Sequence, residues 1–155
     1  MLVRPLRHED RDRERRFIER LSPRSRYFRF LAENQKVSEV LLGQLMNVRE
    51  PDSCAFIALV HDNGELREVG VTRYSASDEG SCECAVTVAE DWQHKGLAVA
   101  LMRHLIAKAR AAGFKKMYSI DSAENGQMRE LAMYLGFSRS PDPDDGMQVI
   151  HSLAL

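Results

Sequence analysis

The spacing of apolar residues predicts that the first third of the chain is mainly helical. The predicted elements are an edge strand at Leu2–Leu6 and helices at Glu9–Arg20, from Pro23 to about Glu33, and at Ser38–Val48. Ser22 followed by Pro23 is typical of an N-cap and a first-turn proline, so one helix should end before this pair and the next should begin at it. Pro5 lacks a backbone N–H, which confines the first strand to a sheet edge or a bulge.

The rest of the chain alternates between strand and helix patterns. The predicted elements are strands at Cys54–His61, Leu66–Ser75 and Cys82–Val88, a long helix at His94–Ala112, a strand at Met117–Ile120, a helix at Asn125–Leu135, an acidic loop at Pro141–Gly146 and a strand at Gln148–Leu153. Short turns join the first three strands into an antiparallel meander, and a helix that crosses between two strands makes the second parallel to the first. We therefore expect residues 1–155 to form one α/β domain, with a mixed, mostly antiparallel central sheet flanked by helices.

Composition and charge narrow the classes of protein that fit this pattern. The 155 residues are 44% apolar and 29% charged, and the net charge of -1 argues against a dedicated nucleic-acid binder. No apolar run is long enough to span a membrane and no secretory signal is visible, so we expect a cytoplasmic protein without a membrane partner. Three cysteines and five scattered histidines favour neither a disulfide framework nor a metal site. Ten arginines against five acids in the first thirty residues indicate a solvated helix face or a basic rim that steers an anion.

Residues 83–98, ECAVTVAEDWQHKGLA, carry the strongest functional signal. They form a β-prone run, a turn and the start of the long helix. A helix N-terminus presents unpaired backbone N–H groups and a partial positive charge, and Gly96 removes a side chain where a phosphate would approach. The segment resembles motif A of the GCN5-related N-acetyltransferases (GNAT), which is Gln/Arg-x-x-Gly-x-Gly/Ala after a Val-rich strand. The matching residues are Val86, Val88, Gln93, Gly96 and Ala98.

The resemblance extends over nearly the whole order of elements, and it implies the GNAT fold with acetyl-CoA as the acyl donor. In that family two neighbouring strands splay apart, and the acyl-CoA enters the gap. The resemblance implies that the pyrophosphate lies on the amides of residues 93–98, that the pantetheine arm pairs with strand residues 86–88, and that the asparagine of motif B contacts the arm near the sulfur. The expected donor-binding residues are Val86, Thr87, Val88, Gln93, His94, Lys95, Gly96, Leu97, Ala98 and Asn125. Asparagine is also a preferred N-cap, so Asn125 could fill both roles.

Glu83 is the candidate general base. An amine acceptor must lose a proton before it attacks, and Glu83 is a carboxylate on an otherwise apolar strand beside the expected thioester site. We expect partial burial to make it a stronger base. Bacterial protein-lysine acetyltransferases of the superfamily place a glutamate at the matching position. The alternative is a surface glutamate on the solvent side of the sheet.

Two further segments bear on the acceptor and on a general acid. Residues 20–30 resemble the Leu-Ser-Pro-x-Ser-x-Tyr-x-Arg-Phe stretch of the protein-lysine acetyltransferases, which implies that Tyr27 and Arg29 touch substrate; packing is the alternative. Many superfamily members carry a tyrosine seven residues after the motif B asparagine, but that position is Ala132 here. Tyr134 is two residues further, a rotation of about 200° on a helix, so we expect it on the far side.

The sequence thus predicts an N-acetyltransferase that moves acetyl from acetyl-CoA to a primary amine by direct attack. A protein lysine is the favoured acceptor and a small amine is the next choice. The rival from another class is a non-catalytic acyl-CoA-binding module, which Ala132 favours. The sequence does not predict the oligomeric state.

Overall fold

A computed structural model describes residues 1–30 and 37–155 of the chain. Its strands and α-helices are, in chain order, β1 (Leu2–Pro5), α1 (Arg11–Arg20), α2 (Pro23–Phe30), α3 (Glu39–Met46), β2 (Ser53–Asp62), β3 (Glu65–Ala76), β4 (Ser81–Val88), α4 (Leu97–Ala111), β5 (Lys116–Ser122), α5 (Gly126–Leu135), β6 (Ser138–Pro141) and β7 (Gln148–Ala154). The predicted order of elements is confirmed, with β6 as an addition. The predicted end of α2, at about Glu33, lies outside the described residues.

The strands form one mixed sheet in the order β1-β2-β3-β4-β5-β7-β6. Only β4 and β5 run parallel, because α4 carries the chain across between them; every other neighbouring pair is antiparallel. β1 lies at one edge of the sheet, where Pro5 can be accommodated. The fold class expected from the sequence, a mostly antiparallel sheet flanked by helices, is confirmed.

The two faces of the sheet are covered by different helices. On one face α4 and α5 cover the sheet, and Met102, Leu105 and Ala132 lie in a buried cluster with the strand residues Cys82 and Met117. On the other face α1 and α3 bury a second cluster, which consists of Phe17, Ile18, Leu21, Leu45, Ile57, Leu59 and Val71. β4 lies between these two layers, so its alternate side chains face opposite helices.

The arginines of the N-terminal region are largely matched by carboxylates. Asp10 is fully buried and accepts hydrogen bonds from the guanidinium groups of Arg4 at 2.7 and 2.8 Å and of Arg13 at 2.9 Å. Glu39 of α3 accepts from Arg11 at 2.7 Å and from Arg15 at 2.8 Å. These ion pairs tie α1 to its neighbours, so the basic composition here serves mainly packing and a solvated helix face.

The predicted start of the long helix is wrong by three residues. α4 begins at Leu97 rather than at His94, because His94 and Gly96 have φ values of 62° and 82° in the left-handed region, which a right-handed helix cannot include. A separate 3-10 turn, Glu90–Trp92, precedes this bend. The consequence is that α4 begins directly after a tight loop, and no side chain of the described residues caps its first amides.

Candidate active site

A gap between β4 and β5 is the central feature of the site. The two strands pair at three positions and their register ends at Glu83 and Tyr118, after which the strands separate. The backbone of residues 84–88 therefore has no strand partner on the β5 side. Two cavities open at this gap, with volumes of about 400 Å³ and about 130 Å³. They share walls made by Val86, Val88, Gln93, Asn125, Gln127 and Met128.

The larger cavity lies between the N-terminus of α4 and the adjacent side of α5. Gly96 is the N-cap of α4 with φ of 82°, and it supplies no side chain to the first helical amides. A Cβ at Gly96 would meet no atom within 4 Å, so the reason for glycine is backbone conformation rather than crowding. An uncapped helix N-terminus that opens into a cleft is a natural anion site. The arrangement fits the pyrophosphate of an acyl-CoA.

Most of the expected donor-binding residues line this larger cavity. Eight of the ten do so: Val86, Val88, Gln93, His94, Gly96, Leu97, Ala98 and Asn125. Thr87 does not, because alternate residues of β4 face opposite sides; its side chain is buried toward α1 and α2, and it lines the smaller cavity. Lys95 does not line either cavity, and its ammonium nitrogen lies 5.0 Å from the ring centroid of Trp92. The expectation for these two residues concerns their backbone groups, so it stays a prediction.

Gln93 and Asn125 connect the elements around the gap. The Gln93 side chain donates to the carbonyl of Val88 at 3.3 Å and accepts from Gln127 of α5 at 3.1 Å. Asn125 caps α5, since its Oδ1 accepts from the backbone N–H of Met128 at 3.1 Å. Asn125 is therefore an N-cap. It also lines both cavities, so the expected contact with the pantetheine arm stays a prediction.

The cleft along α5 bears on the expectation for Tyr134. Ala132 is 1% exposed and lies in the core, whereas Glu130, Leu131 and Tyr134 share the helix face that lines the larger cavity. Tyr134 is thus rotated away from Ala132, as expected, but the helix face that it occupies lines the larger cavity. Its ring contacts the guanidinium of Arg103 on α4, with 5.9 Å from the guanidinium carbon to the ring centroid.

The smaller cavity lies between α2 and the gap, on the opposite side of the shared wall. Its charged lining residues are Arg29, Glu83 and Asp121. Glu83 is solvent-exposed, so the partial burial expected for it is not found, although its side chain does line the cavity together with Ala85 and Thr87. The even-numbered residues Cys84, Val86 and Val88 line it as well, because the cavity opens at the unpaired edge of β4.

α2 forms the outer wall of the smaller cavity. Phe28 and Arg29 line it, but Tyr27 does not; Tyr27 is 39% exposed and contacts Phe28. Burial lowers the pKa of Arg29 to about 10, with a contribution from the positive charge of Arg73, while Glu14, Glu83 and Asp121 act in the opposite direction. Glu90 holds this wall in place, because its carboxylate accepts from the backbone N–H of Ser22 at 2.9 Å and from the hydroxyl of Ser25 at 3.0 Å.

The sequence prediction did not include Asp121, Ser119 or His151. Asp121 lines the smaller cavity from β5, and its Oδ2 lies 2.6 Å from the hydroxyl of Ser119 and 2.8 Å from Nδ1 of His151. Ser119 and His151 are paired across the antiparallel strands β5 and β7. Ser119 and Asp121 are close in sequence but form no recognisable motif, and His151 is thirty residues further along the chain. Only the pairing of β5 with β7 brings the three side chains together.

The described residues contain neither a side-chain group that could bind a metal ion nor a helix that could span a membrane. Residues 1–30 and 37–155 contain no group of three or more His, Cys, Asp or Glu side chains placed to hold a metal. Within the same ranges, no helix is both long and apolar enough to cross a membrane.

Comparison with known proteins agrees with this geometry. The sequence model of the Acetyltransferase (GNAT) family matches residues 8–137. Acetyltransferase PA5475 of Pseudomonas aeruginosa is 60% identical over 156 residues, which cover 100% of this chain and 84% of that protein. The GNAT domain of S. lividans PAT has the same fold, with a TM-score of 0.89 at 24% identity over 99% of this chain and 89% of that chain. The ribosomal-protein-S18-alanine N-acetyltransferase of Escherichia coli gives a TM-score of 0.68 at 18% identity over 99% and 92%.

The splayed sheet and the open helix N-terminus are features of an enzyme that binds an acyl-CoA beside a second substrate. The chain belongs to the GNAT acetyltransferase family and is an acetyl-CoA-dependent N-acetyltransferase.

Proposed function

We propose that the protein transfers acetyl from acetyl-CoA in the larger cavity to a primary amine in the smaller one, by direct attack. The observation that carries this proposal is the shared wall at β4: an uncapped helix N-terminus lies on one side of the gap and cavity-lining carboxylates lie on the other. Acetyl-CoA supplies an activated acyl group as a thioester. The residues of the chain bind the two substrates, orient them and accept the proton that the amine releases.

The donor side holds the anionic end of the coenzyme at the start of α4. The first amides of the helix, at Leu97 and Ala98, point out of the loop that Gly96 ends, and they can bind phosphate oxygens. The unpaired edge of β4 at residues 86–88 offers backbone groups to the pantetheine amides. Asn125 supports the arm where the two cavities meet.

On the acceptor side, Glu83 is the proposed proton acceptor. A primary amine of the lysine type has an ordinary pKa of about 10.4, so it arrives as an ammonium and must lose a proton before it attacks. Glu83 lines the acceptor cavity and is also exposed to solvent. It can therefore take the proton within the site and pass it to water.

A covalent acetyl-cysteine intermediate does not fit the site. Cys84 is the one cysteine that lines the acceptor cavity, and it is 4% exposed. Burial raises the pKa of the Cys84 thiol far above its usual range, with smaller contributions from Asp121 and Cys82. A thiol that stays protonated is a poor nucleophile, so direct attack by the amine is the simpler route.

A protein lysine is the proposed acceptor. Residues 20–30 resemble the corresponding stretch of protein-lysine acetyltransferases, and Phe28 and Arg29 from that stretch form the acceptor wall. A small amine is the alternative, because the acceptor cavity measures only about 130 Å³. Ala132 puts no hydroxyl where a general acid is common in the superfamily, so the CoA thiolate would leave without a proton from this position.

Calorimetric titration with acetyl-CoA and with free CoA, followed by a screen of amine acceptors that begins with lysine peptides, tests the proposal. We expect saturable binding of both nucleotides and turnover with at least one amine.

Glu83→Gln should lower kcat by about a hundredfold or more while the acetyl-CoA Kd stays within about twofold of the wild-type value. Glu79→Gln is the matched control, because Glu79 is exposed in the turn before β4 and lines neither cavity. Binding without turnover of any amine would contradict the proposed transfer, and full activity in Glu83→Gln would remove Glu83 as the base.

A further inference from the structure

Asp121 is held in the acceptor cavity by two buried donors. Its side chain is 14% exposed, and Ser119 and His151 behind it are each only 2% exposed. The Ser119 hydroxyl donates to Oδ2 at 2.6 Å, and a carboxylate beside Nδ1 of His151 at 2.8 Å requires that Nδ1 carry a proton and donate to the same oxygen. Within the described part of the chain, no hydrogen bond uses Oδ1. The carboxylate is therefore fixed through one oxygen, and the other oxygen can accept from a ligand.

This arrangement is unlike a hydrolytic serine triad. In a triad the serine hydroxyl donates to the histidine, and the histidine is exposed to substrate on that side. Here Ser119 donates to the aspartate, and Nε2 of His151 is buried and has no hydrogen-bond partner in residues 1–30 and 37–155. Both side chains thus act on Asp121, and the group they present to the cavity is the carboxylate.

The position of Asp121 along the gap brings it level with the donor-binding part of β4. β4 and β5 are parallel and in register at Glu83 and Tyr118; three residues further along each strand lie Val86 and Asp121. Glu83 is at the closed end of the gap, whereas Asp121 faces the stretch where the thioester is expected. A cationic group beside Asp121 would therefore stand close to the reacting carbonyl.

The charges around the cavity favour a cation. The charged groups that face Asp121 are Arg29 from α2 and Glu83 from β4. His151 from β7 also faces it and is counted as a neutral imidazole, because Nδ1 donates to Asp121 and a second proton on the buried Nε2 would have no acceptor among the described residues. The Cys84 thiol adds no charge because burial raises its pKa. Two carboxylates against one guanidinium leave one negative charge in excess. One ammonium ion would balance it.

We propose that Asp121, positioned by His151 and Ser119, binds the ammonium of the acceptor through Oδ1 and orients the nitrogen toward the thioester. This inference rests on the proposed function, in which Glu83 takes the proton. It assigns separate tasks to the two carboxylates: Asp121 acts in acceptor binding, and Glu83 acts in proton removal. His151 is a positioning residue that acts through Asp121.

Steady-state kinetics with two acceptors tests this assignment. The cationic acceptor is Nα-acetyl-lysine amide, and the uncharged acceptor is methoxyamine at about pH 8. Asp121→Asn should raise the KM for the lysine derivative by about tenfold or more, because a charge-assisted hydrogen bond is lost. It should change the KM for methoxyamine less than about twofold, and the acetyl-CoA Kd should not change. Asp78→Asn, in the exposed turn before β4, is the control for loss of one carboxylate.

Two variants of the buried histidine separate positioning from simple packing. His151→Asn keeps an N–H that can donate to Asp121, so its KM for the lysine derivative should stay within about threefold of the wild-type value. His151→Leu fills the space without a donor, so it should raise this KM about as much as Asp121→Asn does. Equal KM values for the lysine derivative in the wild type and Asp121→Asn would overturn the inference while the proposed function stands. A wild-type protein that acetylates no amine in the screen, lysine peptides included, would overturn both.

Discussion

The buried carboxyl pair Glu14 and Glu68 makes the stability of the protein depend on pH in an unusual direction. Glu14 and Glu68 are 1% and 2% exposed. Glu14 accepts from Arg73 at 3.3 Å, but neither oxygen of Glu68 receives a hydrogen bond from a donor in the described residues. The neighbouring Glu14 carboxyl can bond to Glu68 only if one of the two is protonated. Burial, and then the charge of Glu14, raise the pKa of Glu68 well above its ordinary value of 4.5.

The sign of the effect follows from the proton count. Between the ordinary pKa of 4.5 and the raised folded-state pKa, the folded protein holds a proton that the unfolded chain has lost. The free energy of unfolding therefore falls as pH rises through this window, by up to about 1.4 kcal/mol per pH unit for one proton. The stabilisation is complete below the unfolded pKa and is lost as pH passes the folded one. Asp10 adds no slope here, since its lowered pKa lies below 3.8 and its contribution is lost only in stronger acid.

Glu68→Gln tests this reasoning because the amide resembles the protonated carboxyl and cannot ionise. We expect the variant to lose the part of the decline in unfolding free energy that Glu68 causes, while Glu14, whose pKa burial also raises, keeps a smaller decline. The variant should be more stable than the wild type at the upper end of the window. Urea unfolding followed by circular dichroism at about six pH values between about 5 and 8 measures both slopes. Glu65→Gln, exposed on the same strand, should keep the wild-type slope. Equal slopes in the wild type and Glu68→Gln would refute the assignment of a buried proton to this pair.

Two further substitutions test the donor site and the core. Gly96→Val forces a β-branched residue into the left-handed region, so the free energy of unfolding should fall by about 1–2 kcal/mol. The acetyl-CoA Kd, measured by calorimetry, should rise about tenfold because the helix N-terminus is distorted. The control Gly43→Ala, in α3, should leave both quantities near the wild-type values. Leu105→Ala removes a fully buried side chain on the sheet-facing side of α4. Urea titration should show an unfolding free energy lower by about 2–5 kcal/mol, with an unchanged dependence on urea concentration. A loss below about 1 kcal/mol would contradict the packing described for this helix.

Local patterns were sufficient to predict most of the elements. The four-residue repeat of Leu97, Leu101 and Leu105 predicts α4 because one helix face must be apolar to cover the sheet. The pair Ser22 and Pro23 predicts the break between α1 and α2, and the Ser22 hydroxyl accepts from the N–H of Ser25 at 3.0 Å as a cap should. β6 was missed because a short, fully exposed strand carries no apolar alternation that sequence reasoning could detect.

The proposed donor site could also be located from the sequence, because the strand, the loop and the helix N-terminus that form it are contiguous. Residues 86–98 contain the strand, the loop and the first helical amides, so their chemistry can be read locally. The tertiary structure decided the direction of individual side chains. Thr87 faces α1 and α2 because β4 separates the two helical layers. Tyr134 lines the larger cavity because it shares one face of α5 with Glu130 and Leu131.

The acceptor site was decided by the tertiary structure. Asp121 and His151 are thirty residues apart, and neither has a recognisable motif; the pairing of β5 with β7 is what places the imidazole 2.8 Å from the carboxylate. The exposure of Glu83 and the burial of Glu68 likewise depend on which helices cover each face of the sheet. The sequence by itself determined the order of elements, the family and the position of the proposed donor-binding loop, since these rest on local periodicity and on one contiguous motif. Only the folded chain decided which carboxylates share the acceptor cavity, because strand pairing and helix packing bring together residues whose separation in sequence carries no signal.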